Sequence, residues 1–195
     1  MSTLYEKYKS LKIDGSWIGL ELVDGSPYFC TPIGAEIFGW DNGIHYCFIK
    51  EFGDIVFCVN PETCCDYYVY PIARNFRDFL GLLLATGNTN TLQQAIWWDK
   101  KMFKDFVDGS ENQAYVSKTE VIEALNAIRK ELNLAPIEKP FEYIKELQAA
   151  FPYDQICFSN EYYDTVGLDR PDGSTPDETE DVVDLGTVEF RFDSV

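Results

Sequence analysis

Two apolar runs joined by a short polar turn constrain the fold of this chain more than any other feature. They span residues 44–50 and 55–60, and the four residues between them place Gly53 at a turn position. This pattern predicts a β-hairpin. Because both runs are apolar on both faces, the hairpin is expected at the centre of a sheet and covered by helices.

Further strands are predicted on either side of this hairpin. Residues 17–22 alternate apolar and polar side chains, which is typical of a half-buried strand, and residues 28–31 are expected to return antiparallel to it. Residues 67–70 are aromatic and β-branched and stop at Pro71, so they predict one more strand.

From Asn75 onward the hydrophobic period changes from two to about 3.6, which predicts helices. The first ends near Gly87, and the second opens at a capping box over residues 91–94 and stops at residues 108–109. A third opens at the capping box 117–120, and Pro140 suits the first turn of a fourth. Strands followed by a run of helices indicate an α+β fold with a central, mostly antiparallel sheet, flanking helices and a helix-rich C-terminal half.

The length of 195 residues is expected to give one α+β domain over residues 1–166. Residues 167–195 are expected to belong to the same domain as an acidic loop followed by a final edge strand, residues 187–192. The loop carries six carboxylates between Asp172 and Asp184, so like charges are expected to keep residues 169–184 mobile.

The net charge of −17, from 33 acidic and 16 basic residues, bears on the class of partner. Such a surface repels phosphate backbones and anionic lipid, so nucleic acid and membranes are poor candidates, whereas a basic protein is favoured. The acidity could instead serve solubility alone. The candidate partner-binding residues are Asp177, Glu178, Glu180, Asp181 and Trp98.

The chain is expected to work in the cytoplasm. Its first residues show no secretory signal, and no run approaches the roughly 18 apolar residues that cross a bilayer. The cysteines are therefore expected to be reduced thiols; they are Cys30, Cys47, Cys58, Cys64, Cys65 and Cys157.

Metal or nucleophile chemistry is weakly indicated. There is no C-x-x-C, and His45 is the only histidine. His45 and Cys47 lie two residues apart on a predicted strand, too far apart for a dyad, although Cys30 or Cys58 on a neighbouring strand could reach the imidazole. A buried, hydrogen-bonded histidine is favoured, so no catalytic residue, metal or cofactor is expected.

Two aromatic features leave alternatives open. Trp40 lies near four carboxylates, a combination that could form a sugar-binding cleft; they are Glu36, Asp41, Glu51 and Asp54. In the second predicted helix, one of Trp97 and Trp98 must face away from the core if Ala95 and Met102 face inward, and an exposed tryptophan would be a binding anchor. The other possibility is that both rings are packed.

The block from residue 32 to residue 106 resembles the SUKH superfamily of bacterial immunity proteins and fungal cell-wall regulators. The resemblance rests on Gly39-Trp40, the two hairpin strands, Tyr70-Pro71-Ile72-Ala73, Phe76-Arg77-Asp78-Phe79-Leu80 and the stretch IWWDKKMF. It implies an α+β binding module without catalysis, and bacterial relatives neutralise a toxin, often a nuclease, by direct binding.

These observations favour a non-enzymatic immunity protein that sequesters a toxin domain. An enzyme or sugar-binding protein that uses Trp40 and the nearby carboxylates is the main alternative, and a regulator that binds a partner without a toxin is the third. The identity of the partner, the binding face and the oligomeric state do not follow from the sequence.

Overall fold

A four-stranded antiparallel sheet forms the centre of the protein. The computed structural model describes residues 3–22, 25–63 and 67–174. The strands pair in chain order, each antiparallel to the next; they are β1 (Ala35–Asp41), β2 (Ile44–Ile49), β3 (Val56–Val59) and β4 (Val69–Ala73). Eight helices, α1 to α8, surround this sheet in the described part of the chain, and the α+β prediction is confirmed.

The predicted central hairpin is strands β2 and β3. Tyr46 lies opposite Cys58 and Cys47 lies opposite Phe57, and all four side chains are buried. A second hairpin joins β1 to β2 through Asn42 and Gly43, whose φ angles of 47° and 88° are those that a tight two-residue turn requires. Glycine accepts this geometry without a steric penalty, which fixes the register of β1 against β2.

The sheet is buried on both faces, because alternate side chains enter two different clusters. Phe38, Tyr46 and Tyr70 pack with the helices on one face. On the other face Cys47 and Phe57 pack against a covering layer that is mostly irregular; its buried members are Cys30, Phe151 and Ile156. Helices therefore cover one face, whereas the other is covered mainly by turn and loop segments, with Tyr162 added by the short helix Asn160–Val166.

The helices have the following bounds. They are α1 (Thr3–Ser10), α2 (Phe76–Thr86), α3 (Asn90–Gln94), α4 (Lys100–Asp108), α5 (Ser110–Val116), α6 (Thr119–Glu131), α7 (Pro140–Ala150) and α8 (Asn160–Val166). Short 3-10 helices occur at Gly15–Ile18, Lys50–Phe52 and Tyr153–Gln155. No helix in the described ranges has the length and apolar character that a membrane span needs.

Helix α2 matches its prediction at both ends. The Asn75 side chain caps its first turn by accepting a hydrogen bond from the N–H of Asp78 at 2.9 Å, and Gly87 ends it with a φ of 87°. Helix α7 also begins at Pro140 as predicted.

The prediction of one long second helix is wrong, because the helix is interrupted between residues 95 and 99. Asp99 starts a new helix there, since its carboxylate accepts a hydrogen bond from the N–H of Met102 at 2.7 Å. Thr91, the expected cap, lies inside α3 instead, and its hydroxyl has no hydrogen-bond partner among the described residues.

The prediction of a capping box at residues 117–120 is also wrong. The Ser117 hydroxyl donates to the carbonyl of Gln113 at 2.6 Å, at the end of the unpredicted helix α5. Helix α6 follows from Lys118 without a side-chain cap.

The strand predicted over residues 17–22 does not form. The Asp14 carboxylate accepts hydrogen bonds from the N–H and hydroxyl of Ser16, which begins a 3-10 helix in its place. Only Glu21 pairs with the sheet, through an isolated bridge to Trp40. Residues 28–31 form a turn, because the N–H of Thr31 donates to the carbonyl of Tyr28.

Strand β4 runs through Pro71, where the prediction placed its end. Pro71 lies opposite Phe57 at a register irregularity, and β4 is the last strand of the sheet. Proline is tolerated at such an edge because the missing N–H is not needed by a further strand. The strand predicted over residues 187–192 and most of the acidic segment lie outside the described residues.

Candidate functional site

A polar cleft lies where the β1–β2 turn meets the 3-10 helix Gly15–Ile18, the loop between α2 and α3, and helix α5. Its volume is about 510 Å³, within the range of about 300–1,000 Å³ that is usual for ligand sites. The side chains that define its chemistry are Asp41, Thr89, Gln93, Glu111, Asn112 and Tyr115. Only the adjoining ends of β1 and β2 and the turn between them come from the sheet, so the cleft is assembled largely by the helical part of the chain.

The Asp41 carboxylate is the most highly connected group in the cleft. Its Oδ2 atom lies 3.0 Å from the Thr89 hydroxyl and accepts a hydrogen bond from Gln93 Nε2 at 2.7 Å. Gln93 Nε2 also donates to the phenol oxygen of the fully buried Tyr46. The amide of Gln93 therefore links a carboxylate at the surface of the cleft to the core of the sheet.

Several hydrogen bonds tie the 3-10 helix to the opposite wall of the cleft. The N–H of Thr89 donates to the carbonyl of Ile18 at 3.1 Å, and the Thr89 hydroxyl lies 2.9 Å from the carbonyl of Gly19. The Tyr115 hydroxyl donates to the carbonyl of Trp17 at 3.0 Å. These bonds join residues 70 to 98 positions apart in the chain, so the cleft depends on the complete fold.

Gly19 is required where the two walls approach each other. Its φ of 69° is left-handed, and a Cβ atom there would lie 2.0 Å from the Thr89 hydroxyl oxygen and 2.7 Å from Asp41 Oδ2. A side chain at position 19 would therefore disturb the two groups that support the cleft.

The cleft is negatively charged. Asp41 and Glu111 line it, and among the described residues no lysine or arginine does. The ammonium of Lys118 lies outside the lining, 4.6 Å from the centre of the Tyr115 ring. Burial and the charge of Asp41 raise the pKa of Tyr115, so this phenol keeps its proton near neutral pH.

His45 lies in a separate apolar site behind β1 and β2. The imidazole is fully buried, with its centre 4.8 Å from the Trp40 ring and 5.4 Å from the Tyr28 ring. Its Nε2 lies 3.4 Å from the Thr31 hydroxyl, and its Nδ1 has no hydrogen-bond partner among the described residues. Burial lowers the pKa of His45 to about 4, so the imidazole is neutral.

Two of the described thiols are held in the protonated form by burial. Burial raises the pKa of Cys30 to about 11 and raises that of Cys47 further, so both are protonated at neutral pH. Cys58 donates its thiol hydrogen to the Tyr70 hydroxyl at 3.4 Å. In the part of the chain that is described, no group of three histidine, cysteine or acidic side chains could hold a metal ion; Cys64 and Cys65 lie outside it.

The four carboxylates that were considered with Trp40 do not converge. Glu36 lies opposite Phe48, and Glu51 and Asp54 follow β2, so these three lie at one end of the sheet. Asp41 lies at the other end and is the only one of the four that lines the cleft. The Trp40 side chain is buried beside His45 and is not in the cleft lining.

The tryptophan pair is divided as one alternative had it, with one ring inside and one outside. Trp98 is 8% exposed and packs on Phe103 and Phe106, whereas Trp97 is 37% exposed. Ala95 and Met102 were both expected to face the core. Ala95 is buried, whereas Met102 is 48% exposed. The exposed candidate anchor is therefore Trp97, while a partner-binding role for Trp98 stays a prediction.

The remaining partner-binding candidates lie outside the described residues; they are Asp177, Glu178, Glu180 and Asp181. The buried polar residues of the cleft were not predicted; they are Asn88, Thr89, Gln93 and Asn112. The available signal was the polar stretch GNTNTLQQ, residues 87–94, directly after the apolar helix α2. Amides and hydroxyls that follow a buried helix must find partners within the fold or in a ligand.

The resemblance to the SUKH superfamily stays an expectation. It rests largely on the sheet and on α2, which are structural features. Comparisons with protein-family models, with curated proteins and with solved structures give no match.

Proposed function

We propose that this chain is a non-enzymatic, cytoplasmic binding protein that recognises a basic protein partner. We further propose that the partner is a toxin domain, such as a nuclease, which the chain neutralises by direct binding. The first part rests on charge, and the second rests on the resemblance to the SUKH superfamily.

The observation that carries the proposal is the uneven distribution of charge along the chain. Residues 13–73, which form the sheet and the segments beside it, contain nine acidic residues and one basic residue, Lys50. Residues 74–160, which form most of the helices, contain twelve acidic and ten basic residues. Residues 161–195 contain eleven acidic and two basic residues. The negative charge is therefore concentrated in the sheet segment and the C-terminal segment, and a positively charged partner would be steered towards those two segments.

The state of the nucleophilic and basic side chains supports a binding function over a catalytic one. His45 is buried and neutral, and the thiols of Cys30 and Cys47 are protonated. Covalent catalysis needs an activated nucleophile beside a base, and this imidazole and these two thiols do not form such a pair.

A genetic experiment tests the toxin part of the proposal. The reading frame beside the gene would be expressed in a bacterial host under an inducible promoter, with and without this chain. We expect growth arrest that this chain relieves, and a complex of the two purified proteins. Growth arrest without relief, or no growth arrest at all, would contradict the immunity function.

A kinetic experiment tests the electrostatic part. The association rate with the purified partner should fall steeply between 50 and 500 mM salt, because exposed charges are screened beyond a Debye length of about 8 Å at 0.15 M. Neutralising four C-terminal carboxylates together should lower the association rate more than it raises the dissociation rate. The variant replaces Asp177, Glu178, Glu180 and Asp181 with their amides.

A matched control changes the net charge equally on the helical side of the protein. It replaces Glu120, Glu123, Glu131 and Glu138, all of them exposed, with glutamine. Equal effects of the two sets would show that only net charge matters, and an association rate that does not depend on salt would contradict the proposal.

One observation favours an alternative, which is an enzyme or sugar-binding protein. Asp41, adjacent to Trp40, lines a cleft large enough for a small polar ligand. Glycoside hydrolysis by the purified protein that is lost in Asp41→Asn, Glu36→Gln or Glu51→Gln would establish the enzyme instead.

A further inference from the structure

We infer that the cleft beside Asp41 receives an arginine side chain of the basic partner. The inference rests on the proposed function, and it assigns a site and a chemical group to the recognition. This cleft combines two carboxylates, buried amides and aromatic side chains, and among the described residues no lysine or arginine lines it.

The first argument is that the cleft offers acceptors that the fold leaves open. Gln93 is 5% exposed, and both hydrogens of its amide are used by Asp41 and Tyr46. The Gln93 side-chain atom that contacts both the Asp41 carboxylate and the Tyr46 hydroxyl must be the nitrogen Nε2, because a carboxylate can only accept a hydrogen bond. The side-chain oxygen Oε1 of Gln93 accepts no hydrogen bond from a described residue, so it is an open acceptor in the lining of the cleft.

The second argument is the charge of the lining. Asp41 Oδ1 accepts only from the exposed amide of Asn42, at 3.0 Å, and Glu111 has no ion pair within the described ranges. The Tyr115 hydroxyl uses its hydrogen on Trp17 and keeps its lone pairs for a donor. A ligand that fits must therefore bring positive charge and several N–H groups.

The third argument separates a guanidinium from an ammonium. The cleft spreads its acceptors over Asp41, Gln93 and Glu111, on three different elements, and Phe106 adds an aromatic ring to the wall. A guanidinium has five N–H donors in one plane and stacks on aromatic rings, whereas an ammonium is a compact, strongly hydrated charge. The arrangement therefore favours arginine over lysine.

The experiment uses a model compound, so that it does not depend on the partner. N-acetyl-argininamide would be titrated into the ¹⁵N-labelled full chain, with N-acetyl-lysinamide and methyl glucoside titrated separately. We expect saturable shifts at the amides of Gly19, Gly43, Thr89 and Asn112 with the arginine compound, several-fold weaker binding of the lysine compound, and no binding of the glucoside.

Variants identify the groups involved. Asp41→Asn should weaken binding about tenfold, through the loss of a charge-assisted hydrogen bond. Because Asp41 also supports the fold, Glu111→Gln provides a second test; this exposed residue makes no side-chain hydrogen bond to any described residue, and its replacement should weaken binding roughly twofold to fivefold. Glu123→Gln on α6 removes an equal charge away from the cleft and should leave binding unchanged.

Several results would overturn the inference. They are amide shifts scattered near carboxylates outside the cleft, equal binding of the arginine and lysine compounds, binding of the glucoside alone, or binding of the arginine compound by Glu111→Gln with wild-type affinity. Failure here is distinct from failure of the proposed function. If a partner binds with the expected salt dependence but the model compound does not bind, the arginine site is refuted and the proposed function stands. If the model compound binds in the cleft but association with the partner does not depend on salt, the basic-partner proposal is refuted and the guanidinium site stands.

Discussion

Replacing His45 with glutamine should remove a specific loss of stability in acid. His45 is the only imidazole in the chain, and it is fully buried between Tyr28 and Trp40. A protonated ring would carry two N–H groups, yet the described surroundings offer a partner only at Nε2. The folded protein therefore resists protonation of this ring, whereas the unfolded chain does not.

The magnitude follows from the two pKa values. Burial lowers the pKa of His45 from 6.5 to about 4 in the folded state. Above pH 6.5 the ring is neutral in both states and has no effect on the pH dependence. Between pH 6.5 and 4 only the unfolded state binds the proton, so the free energy of unfolding falls by up to about 1.4 kcal/mol per pH unit. From pH 8 to pH 5 the loss amounts to about 2 kcal/mol.

The assay is urea unfolding at pH 8, 7, 6 and 5, followed by tryptophan fluorescence. The many carboxylates also titrate, so the informative quantity is the difference between the wild type and His45→Gln. That difference should shrink by about 2 kcal/mol from pH 8 to pH 5, because only the wild type loses stability through the imidazole. The control is Ile72→Val, a buried change on the other face of the sheet that should cost about 0.5–1.5 kcal/mol and keep the wild-type slope.

A direct titration checks the premise. The ring proton on Cε1 of His45 gives a single histidine signal, whose chemical shift should stay constant from pH 8 to pH 5. A midpoint at or above pH 6.5, or parallel pH dependences of the wild type and His45→Gln, would refute the reasoning.

Three further predictions concern packing. Phe57→Ala should lower the free energy of unfolding by about 3–5 kcal/mol, because this fully buried ring packs on Phe151; a loss below 1 kcal/mol in urea unfolding would contradict a central hairpin. Trp98→Ala should cost about 3–5 kcal/mol and Trp97→Ala less than about 1 kcal/mol, and thermal unfolding that reversed this order would mean that the two rings are exchanged. Gly19→Ala should cost about 1–3 kcal/mol through its left-handed φ and its contact with Thr89, and crystallography or amide shifts should show the change centred on the cleft.

The parts of the fold that the sequence predicts well are those in which local pattern and burial agree. The hairpin of β2 and β3 was predicted from two apolar runs around a turn that contains Gly53. Its central position was predicted because both runs are apolar on both faces, and the sheet does bury both faces. Helix α2 was predicted from its apolar stripe and its stop near Gly87, and the structure adds the side-chain cap by Asn75. The same local reasoning failed at residues 17–22, where the Asp14 carboxylate and Gly19 favour a 3-10 turn over the alternating pattern.

Strand β1 could have been predicted from the Asn42-Gly43 pair, which lies between alternating apolar residues and is a strong hairpin signal. Its alternation is interrupted by a bulge between Ile37 and Gly39, which shifts the side chains by one position. A period of two therefore does not persist over the whole strand, and this weakens the pattern that sequence analysis relies on.

The cleft could not be predicted by local pattern, because its lining comes from four separate segments of the chain, residues 16–19, 41–44, 88–93 and 106–115. Asp41 is the last residue of β1, Gln93 lies in α3 and Tyr115 lies in α5, and they meet only when the sheet and the helices are in place. Their chemistry nevertheless constrains the function. A buried amide whose donors are fixed by Asp41 and Tyr46 can present only its carbonyl, and a lining with two carboxylates and no described cation selects donors that carry positive charge. If the acidic surface serves only solubility, nothing requires this lining to be acceptor-rich, so binding of N-acetyl-argininamide in the cleft would separate recognition from solubility.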